Sequence, residues 1–537
     1  SLGAGAYWWL TIRRPLSGLV GAAQAVPQEA TVVLALRTSA SLWQPLAQFG
    51  TPESRQLLAK AIAAGPAQTL WQRGSLDFQQ DIQPWIGEGA LAALVPLQPD
   101  TPPATLAIAP VQNRERAEVF LAKYRNALTQ QGAQFTEKTY GRQVYYESPT
   151  RRPHQSVVTA LIDGRLAVLT TDAALLHRVI ETYRRRSPAL ATKPAFVEAL
   201  GRVQELPPRE SLAWLYVDGT VGLDFLGPAQ ALGDSFLAKP QLVALTLTAG
   251  FQKEGLRFRL DRTVNGTGAA IEVPRRPLLD RLPSDTLLLI SGTNLRQSWA
   301  TLQTRAQANP ISETTLTQWR EALAKAQIDL DKEVLGWLTE DFAIAAVPTT
   351  AGALRGSGFG LVLLARTTVA DLPRQFLSKL ERWARSSPGG PIPDNLEIQP
   401  ETLAQTEVSS WTVRSQSMTT RLAAQGFLTQ DVVFWAAGDL VTNLLPVPGT
   451  PLDQSKTFRR LTAGLPETNG GYFYWHVGAS LPILDRLLPS ELKSTPLYTQ
   501  GRILLDAVRG LAATTTNLSD RIVRLDLLLS LKPTPVD

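Results

Sequence analysis

The chain contains no cysteine, one methionine and three histidines in 537 residues. The missing cysteines exclude disulfides, thiolate zinc sites, iron–sulfur clusters and cysteine nucleophiles, and three scattered histidines leave little for an imidazole metal site. Charge is sparse as well: 19% of residues are Asp, Glu, Lys or Arg, and the net charge is +6. Beyond its opening residues the chain has no run of 18 apolar side chains, so its body reads as a soluble one lying on one side of a membrane. What is present is a 44% hydrophobic fraction with 38 glycines and 38 prolines. That composition supports a sizeable core and excludes collagen and bulk disorder, and the length suggests roughly three to four domains.

The opening run from Leu2 to Leu10 is small and apolar and closes on Tyr7, Trp8 and Trp9, with Arg13 and Arg14 just beyond. Apolar residues ending in aromatics and then in basic side chains are how a membrane helix meets the headgroup layer. Ten residues are too few to span a bilayer, which takes about 20. Residues 1–26 therefore read as the end of an N-terminal membrane anchor and a linker, the other reading being an ordinary buried first strand or helix. With no cysteine and almost no methionine, the body is expected outside the cytoplasm.

The middle of the chain repeats. Pro27 to Leu46 aligns without a gap on Pro283 to Leu302, pairing Trp43 with Trp299. Leu76 to Pro96 matches Ile328 to Pro348, with Trp85 and Glu88 answering Trp337 and Glu340. Phe120-Leu121-Ala-Lys123 answers Phe376-Leu377-Ser-Lys379, Leu206-Pro207 answers Leu465-Pro466, and Arg259-Leu260-Asp261 answers Arg524-Leu525-Asp526 near each copy's end. Five ordered matches indicate two tandem homologous copies, residues 27–264 and 283–531, joined by a Gly- and Pro-rich linker at 265–282 and followed by a tail at 532–537.

Each copy reads as α+β, with a mostly antiparallel sheet and helices packed on one of its faces. Short turns such as Asp163-Gly164 force neighbouring strands to be antiparallel. The expected elements are strands at 91–97, 105–109, 143–147, 157–162, 165–170 and 212–217, helices at 114–130 and 173–186 with another after them, and a closing hairpin at 242–251 and 256–262. Alternation in Leu256-Arg-Phe-Arg-Leu-Asp puts apolar side chains on one face and charges on the other.

On the Gly-Ala-Tyr-Trp-Trp-Leu run, Arg14-Pro15-Leu16, Val26-Pro27, Pro84-Trp85-Ile86-Gly87 and Leu282-Pro283-Ser284-Asp285, the chain resembles a domain family of unknown function, seen mainly in cyanobacteria, whose members carry an N-terminal membrane anchor. The resemblance covers nearly the whole chain. It implies a membrane-tethered protein facing periplasm or thylakoid lumen, and it carries no activity over.

Candidates for chemistry are few. Trp85 with Glu88 and Trp337 with Glu340 form the sharpest repeated pattern, either a ligand platform present twice or two buried anchors that fasten a helix end to the sheet. Asp77, and Asp329 with Asp331 and Glu333, lack the glycine and distal Glu of a calcium loop and read as an acidic first helical turn with an Asp cap. Ser490-Glu-Leu-Lys493 fits Ser-x-x-Lys without its partner motifs, and the serine reads as a helix cap. Gly356-Ser-Gly-Phe-Gly360 precedes a strand and reads as a turn. His154, His177 and His476 share no ligand spacing; His177 is expected on the exposed side of a helix. The basic clusters Arg151-Arg152, Arg184 to Arg186 and Arg275-Arg276 lack interleaved aromatics, which argues against nucleic acid and leaves attraction to anionic lipid or a solvated face.

The expected function is therefore non-enzymatic: a membrane-tethered, extracytoplasmic scaffold, adaptor or assembly factor for a membrane-protein partner, with no cofactor or metal. The alternative is a carrier of an apolar ligand, lipid or pigment, held between the copies or between helices and sheet. A carboxylate hydrolase would need two converging acids of raised pKa.

Overall fold

The computed structural model describes residues 19–63, 78–98, 101–150, 156–219, 242–266, 271–274, 277–297, 299, 328–385, 395–414 and 418–534. Tyr7, Trp8, Trp9, Arg13, Arg14, Asp77, Arg151, Arg152, His154, Arg275 and Arg276 lie outside these residues. Among the described residues no helix is long and apolar enough to cross a membrane.

The strands of the first half are β1 (Val32–Arg37), β2 (Gly89–Val95), β3 (Ala104–Pro110), β4 (Thr136–Tyr140), β5 (Gln143–Ser148), β6 (Val157–Ile162), β7 (Leu166–Thr170), β8 (Ala213–Asp218), β9 (Leu242–Gln252) and β10 (Gly255–Val264). Those of the second are β11 (Leu288–Thr293), β12 (Asp341–Pro348), β13 (Phe359–Arg366), β14 (Leu396–Leu403), β15 (Thr406–Arg414), β16 (Thr419–Thr429), β17 (Val432–Ala437), β18 (Tyr472–Trp475), β19 (Val508–Ser519) and β20 (Ile522–Leu531). The longer helices are α1 (Pro52–Ala63), α2 (Arg114–Gln130), α3 (Ala173–Tyr183), α4 (Pro194–Gln204), α5 (Asp371–Arg385), α6 (Val477–Leu487) and α7 (Pro496–Asp506).

Among the described residues every strand pairing is antiparallel. The first half runs β4-β5-β6-β7-β3-β2-β1-β8-β9-β10. The second runs β14-β15-β16-β17-β13-β12-β11-β18-β19-β20, the same order in each strand's counterpart. The last strands of the two halves, β10 and β20, pair with each other and close the halves into one sheet. Among the described residues β4 and β14 each pair with a neighbour on one side only. The first is short and carries Lys138 and the second carries Pro400, two devices that discourage pairing with further strands.

Helices cover both faces of the outer strands, not one. In β3, Leu106 and Ile108 join a core with Leu175, Val179 and Phe196 of α3 and α4. Ala107 and Ala109, pointing the other way, pack with Phe120, Leu121 and Tyr124 of α2. Period-2 alternation conceals this, because short apolar residues on both faces give no polar side to read. In the second half α5 takes the place of α2, with Leu377 against Ala365 and Val433.

Several expected elements shift. The strands at 91–97 and 212–217 lie at Gly89–Val95 and Ala213–Asp218, and α3 ends at Tyr183, three residues earlier than Arg186. Strand β4 was not expected. Its TEKTY sequence is almost wholly exposed, so nothing in its pattern points to a core.

Candidate functional site

The two faces of the central strands differ in an unexpected way. The alternation in β10 and β20 is real, but the charged face is the buried one. Arg257, Arg259, Asp261 and Asp526 are buried, whereas Leu256, Phe258, Leu260, Leu525, Leu527 and Leu529 are half-exposed. The reason is position. These strands lie where the two halves join, and their charged side chains face α4, the helical turn Pro208–Glu210 and the Gly464 carbonyl.

Register organises the charges. Arg259 lies opposite Asp526, Leu260 opposite Leu525, and Asp261 opposite Arg524. The Arg-Leu-Asp triplet is therefore self-complementary when two copies run antiparallel. Arg257 donates to Asp526 Oδ1 through Nε at 3.1 Å and Nη2 at 2.6 Å, and its Nη1 donates to the Gly464 carbonyl at 2.6 Å. Arg259 Nε lies 3.5 Å from Asp526 Oδ1, and its Nη2 binds Glu210. Arg524 grips Asp261 with two hydrogen bonds of 2.7 and 2.9 Å, and Arg202 of α4 adds a third at 3.0 Å. Burial pulls the Arg259 pKa down against the hydrogen bond it donates to Glu210. At Arg524 burial is outweighed by Asp261, and the net direction is up. Each aspartate is held by two guanidiniums. The sequence signal for this network was the repeated triplet itself, read only as a marker of repetition.

On the opposite face the register lines up apolar side chains across strands. One row runs Leu34, Leu215, Leu247, Leu260, Leu525 over β1, β8, β9, β10 and β20. A second runs Phe258, Leu527, Ala513, Phe473, Ile290, Ile344 into the second half. Phe473 is 36% exposed, Ile290 43% and the neighbouring Leu361 44%. These rows give the sheet an apolar face whose exposure varies, with Ala513 buried between the exposed Phe473 and the half-exposed Leu527.

The repeated tryptophans sit elsewhere. Trp85 and Trp337 are buried, and each indole N–H donates to the carbonyl four residues back, Asp81 at 2.8 Å and Glu333 at 2.9 Å. Phe120 packs on Trp85 and Phe376 on Trp337, with ring centroids 4.9 and 6.2 Å apart. Lys123 pairs with Asp81 at 2.6 Å and Lys379 with Glu333 at 2.8 Å. Both tryptophans thus fasten a helical turn to the long helix beside it. Glu88 is exposed and Glu340 half-exposed, and their main-chain carbonyls accept from Thr38 and Asn294. Trp43 is half-buried with its N–H on the Arg37 carbonyl, and Trp299 packs at the margin of the Trp337 cluster. The structure brings Trp299 to Trp337 and places none of these residues at the apolar face's centre.

The remaining candidates have structural positions. Asp329 caps its helical turn through Asp331 N and Lys332 N at 3.1 Å. Ser490 is not the cap expected of it; Pro489 holds that position and Ser490 is the first residue of a four-residue turn. Gly356 ends a helical turn ahead of β13. His177 is not on an open surface: its ring stacks on Tyr140 at 3.9 Å and meets the edge of Tyr145, because the unforeseen β4 folds over α3. His476 is half-buried at the start of α6, and burial lowers its pKa. Among the described residues no group of three or more His, Asp or Glu could hold a metal ion. Glu53, Glu333, Glu401, Asp431 and Asp485 have lowered pKa values, the direction opposite to that of a general acid.

The profile of a family described as a protein of unknown function, DUF3352, matches residues 1–531. A comparison with curated proteins returns no match. Among solved structures, crystal forms III and I of TP0453 are 11% and 10% identical; each alignment covers 46% of this chain and 80% of that one, with a TM-score of 0.27. Likeness at that score carries no inference about fold or function.

Proposed function

The chain belongs to the DUF3352 family of proteins of unknown function, and we propose that it works without catalysis, as a membrane-tethered, extracytoplasmic scaffold or assembly factor that docks a membrane-protein partner. Its body is two homologous α+β copies, residues 27–264 and 283–531. The identical order of strand pairings in the halves and the shared Trp85 and Trp337 hydrogen bonds support that duplication. The observation that carries the docking reading is the apolar sheet face that extends into both halves, with Phe473, Ile290 and Leu361 among its exposed side chains. A partner's apolar surface laid on this face would bury those side chains at roughly 25 cal/mol per Å² of apolar area.

A photo-crosslinking residue placed at Phe473 in native membranes tests the reading. A discrete adduct to a membrane protein, lost when Ile290→Lys is added, is the expected result. No adduct, or one indifferent to Ile290→Lys, refutes it. The leucine row from Leu34 to Leu525 favours a second reading, a carrier whose apolar ligand lies along the sheet. Native mass spectrometry of gently purified protein separates the two, since a carrier retains a small molecule and a scaffold does not.

A further inference from the structure

The strongest unassigned feature lies away from the apolar face, on the outer part of the first half. A groove of about 710 Å³ runs between α2 and strands β5 and β6, bordered by three guanidiniums, Arg114 and Arg125 from α2 and Arg142 from the β4–β5 turn, and by the carboxylates of Glu118 and Asp163. Arg125 forms the floor. Its guanidinium carbon sits 4.0 Å over the Tyr146 ring, and Nη1 donates to Thr159 Oγ1 at 3.3 Å. Among the described residues Arg125 forms no ion pair, and burial lowers its pKa against the opposing pull of Tyr146 and the Glu137 carboxylate, which accepts from the Tyr146 hydroxyl. Arg114 is exposed and pairs with Glu118 on its own helix.

The second half shows what this position needs structurally. There α5 sends Glu381 to Gln425 of β16 at 2.8 Å, and Gln425 occupies the sheet place that Thr159 holds in β6. A polar link from helix to sheet is common to both halves, and a carboxylate serves it as well as a guanidinium. The positive charge of Arg125 is therefore not required by the helix-to-sheet link itself. A cation held by burial and ring stacking, with its fork left open toward a groove, matches the geometry of phosphate recognition.

We propose that this groove binds a phosphate group, carried by a small phosphomonoester or by an anionic lipid headgroup, with Arg125 as its floor and Arg142 and Arg114 as its rim. The site is independent of the apolar face and stands or falls separately from the docking reading. Titration calorimetry of the full chain with glycerol 3-phosphate, and co-sedimentation with phosphatidylglycerol-containing vesicles against phosphatidylcholine alone, test it. Binding to glycerol 3-phosphate identifies a free phosphate ester, and binding to the charged vesicles alone identifies a headgroup; either supports the site if Arg125→Gln weakens it about tenfold or more, the worth of one charge-assisted contact. Glutamine retains a donor for Thr159, and Arg142→Gln, on an exposed turn, serves as the second variant should Arg125→Gln not fold. Failure of both probes to bind, or wild-type affinity retained in both variants, overturns the proposal.

Discussion

At the scale of single residues, the buried aspartates carry the greatest risk. Asp526 is 1% exposed and faces Arg257 and Arg259 together. Replacing such a network with apolar residues is often neutral, but removing one member strands the others without a counter-charge, at about 3–5 kcal/mol. Asp526→Ala is expected to lose that much in urea denaturation. Histidines set a second, pH-dependent term. Burial lowers the His476 pKa, and it is the largest cause lowering that of His177, against Glu147 and Asp172. In the unfolded chain both titrate near pH 6.5. Below that pH the unfolded state takes up protons first, so stability is full above about 6.5 and falls as pH drops toward the folded values. The urea midpoint should therefore decline as pH falls below about 6.5, and His177→Gln with His476→Gln should flatten the decline; an unchanged slope in the double variant refutes the assignment.

At the scale of elements, the tryptophan turns distinguish an anchor from a ligand platform. Trp85 is buried against Phe120 while Glu88 is exposed. Trp85→Ala should cost about 3–5 kcal/mol in thermal or urea unfolding, and Glu88→Ala about 0.5 kcal/mol or less. Comparable losses for the two would point to a joint role. Helix α2 was legible in the sequence to its ends, since Asn113 caps it through Arg116 N and its apolar positions recur at helical spacing. The β6–β7 turn was equally legible: Asp163 and Gly164 both take the positive φ that a tight hairpin requires. Strand β4 was hidden because an edge strand needs no buried face. The orientation of β10 was hidden for a deeper reason. Alternation gives the period of a strand, while the choice of inward face depends on what packs there, and here that is Arg202, Glu210 and the other half of the chain.

At the scale of the whole molecule, the seam between β10 and β20 decides whether the halves behave as one body. Its charges specify register more than they add stability. Slipping β20 by two residues in one direction sets Arg259 against Arg524, and in the other sets Asp261 against Asp526; a one-residue slip turns the leucines inward and the charges outward. Of these registers only the observed one sets the arginine of each Arg-Leu-Asp triplet opposite the aspartate of the other. With the seam intact, nine residue pairs of continuous ladder tie the halves together, and calorimetry should show a single cooperative transition. Asp261→Arg places three arginines around one point, with Arg524 and Arg202 as its neighbours, and Arg524→Asp places two aspartates opposite each other. Either single reversal should therefore uncouple the halves and split the transition in two. Combining them restores opposite charges across the ladder while still losing the Arg202 contact, so the double variant should regain one transition at a lower midpoint than the wild type. If the wild type already melts in two independent steps, or if the double variant melts no better than the singles, the seam is not what joins the halves.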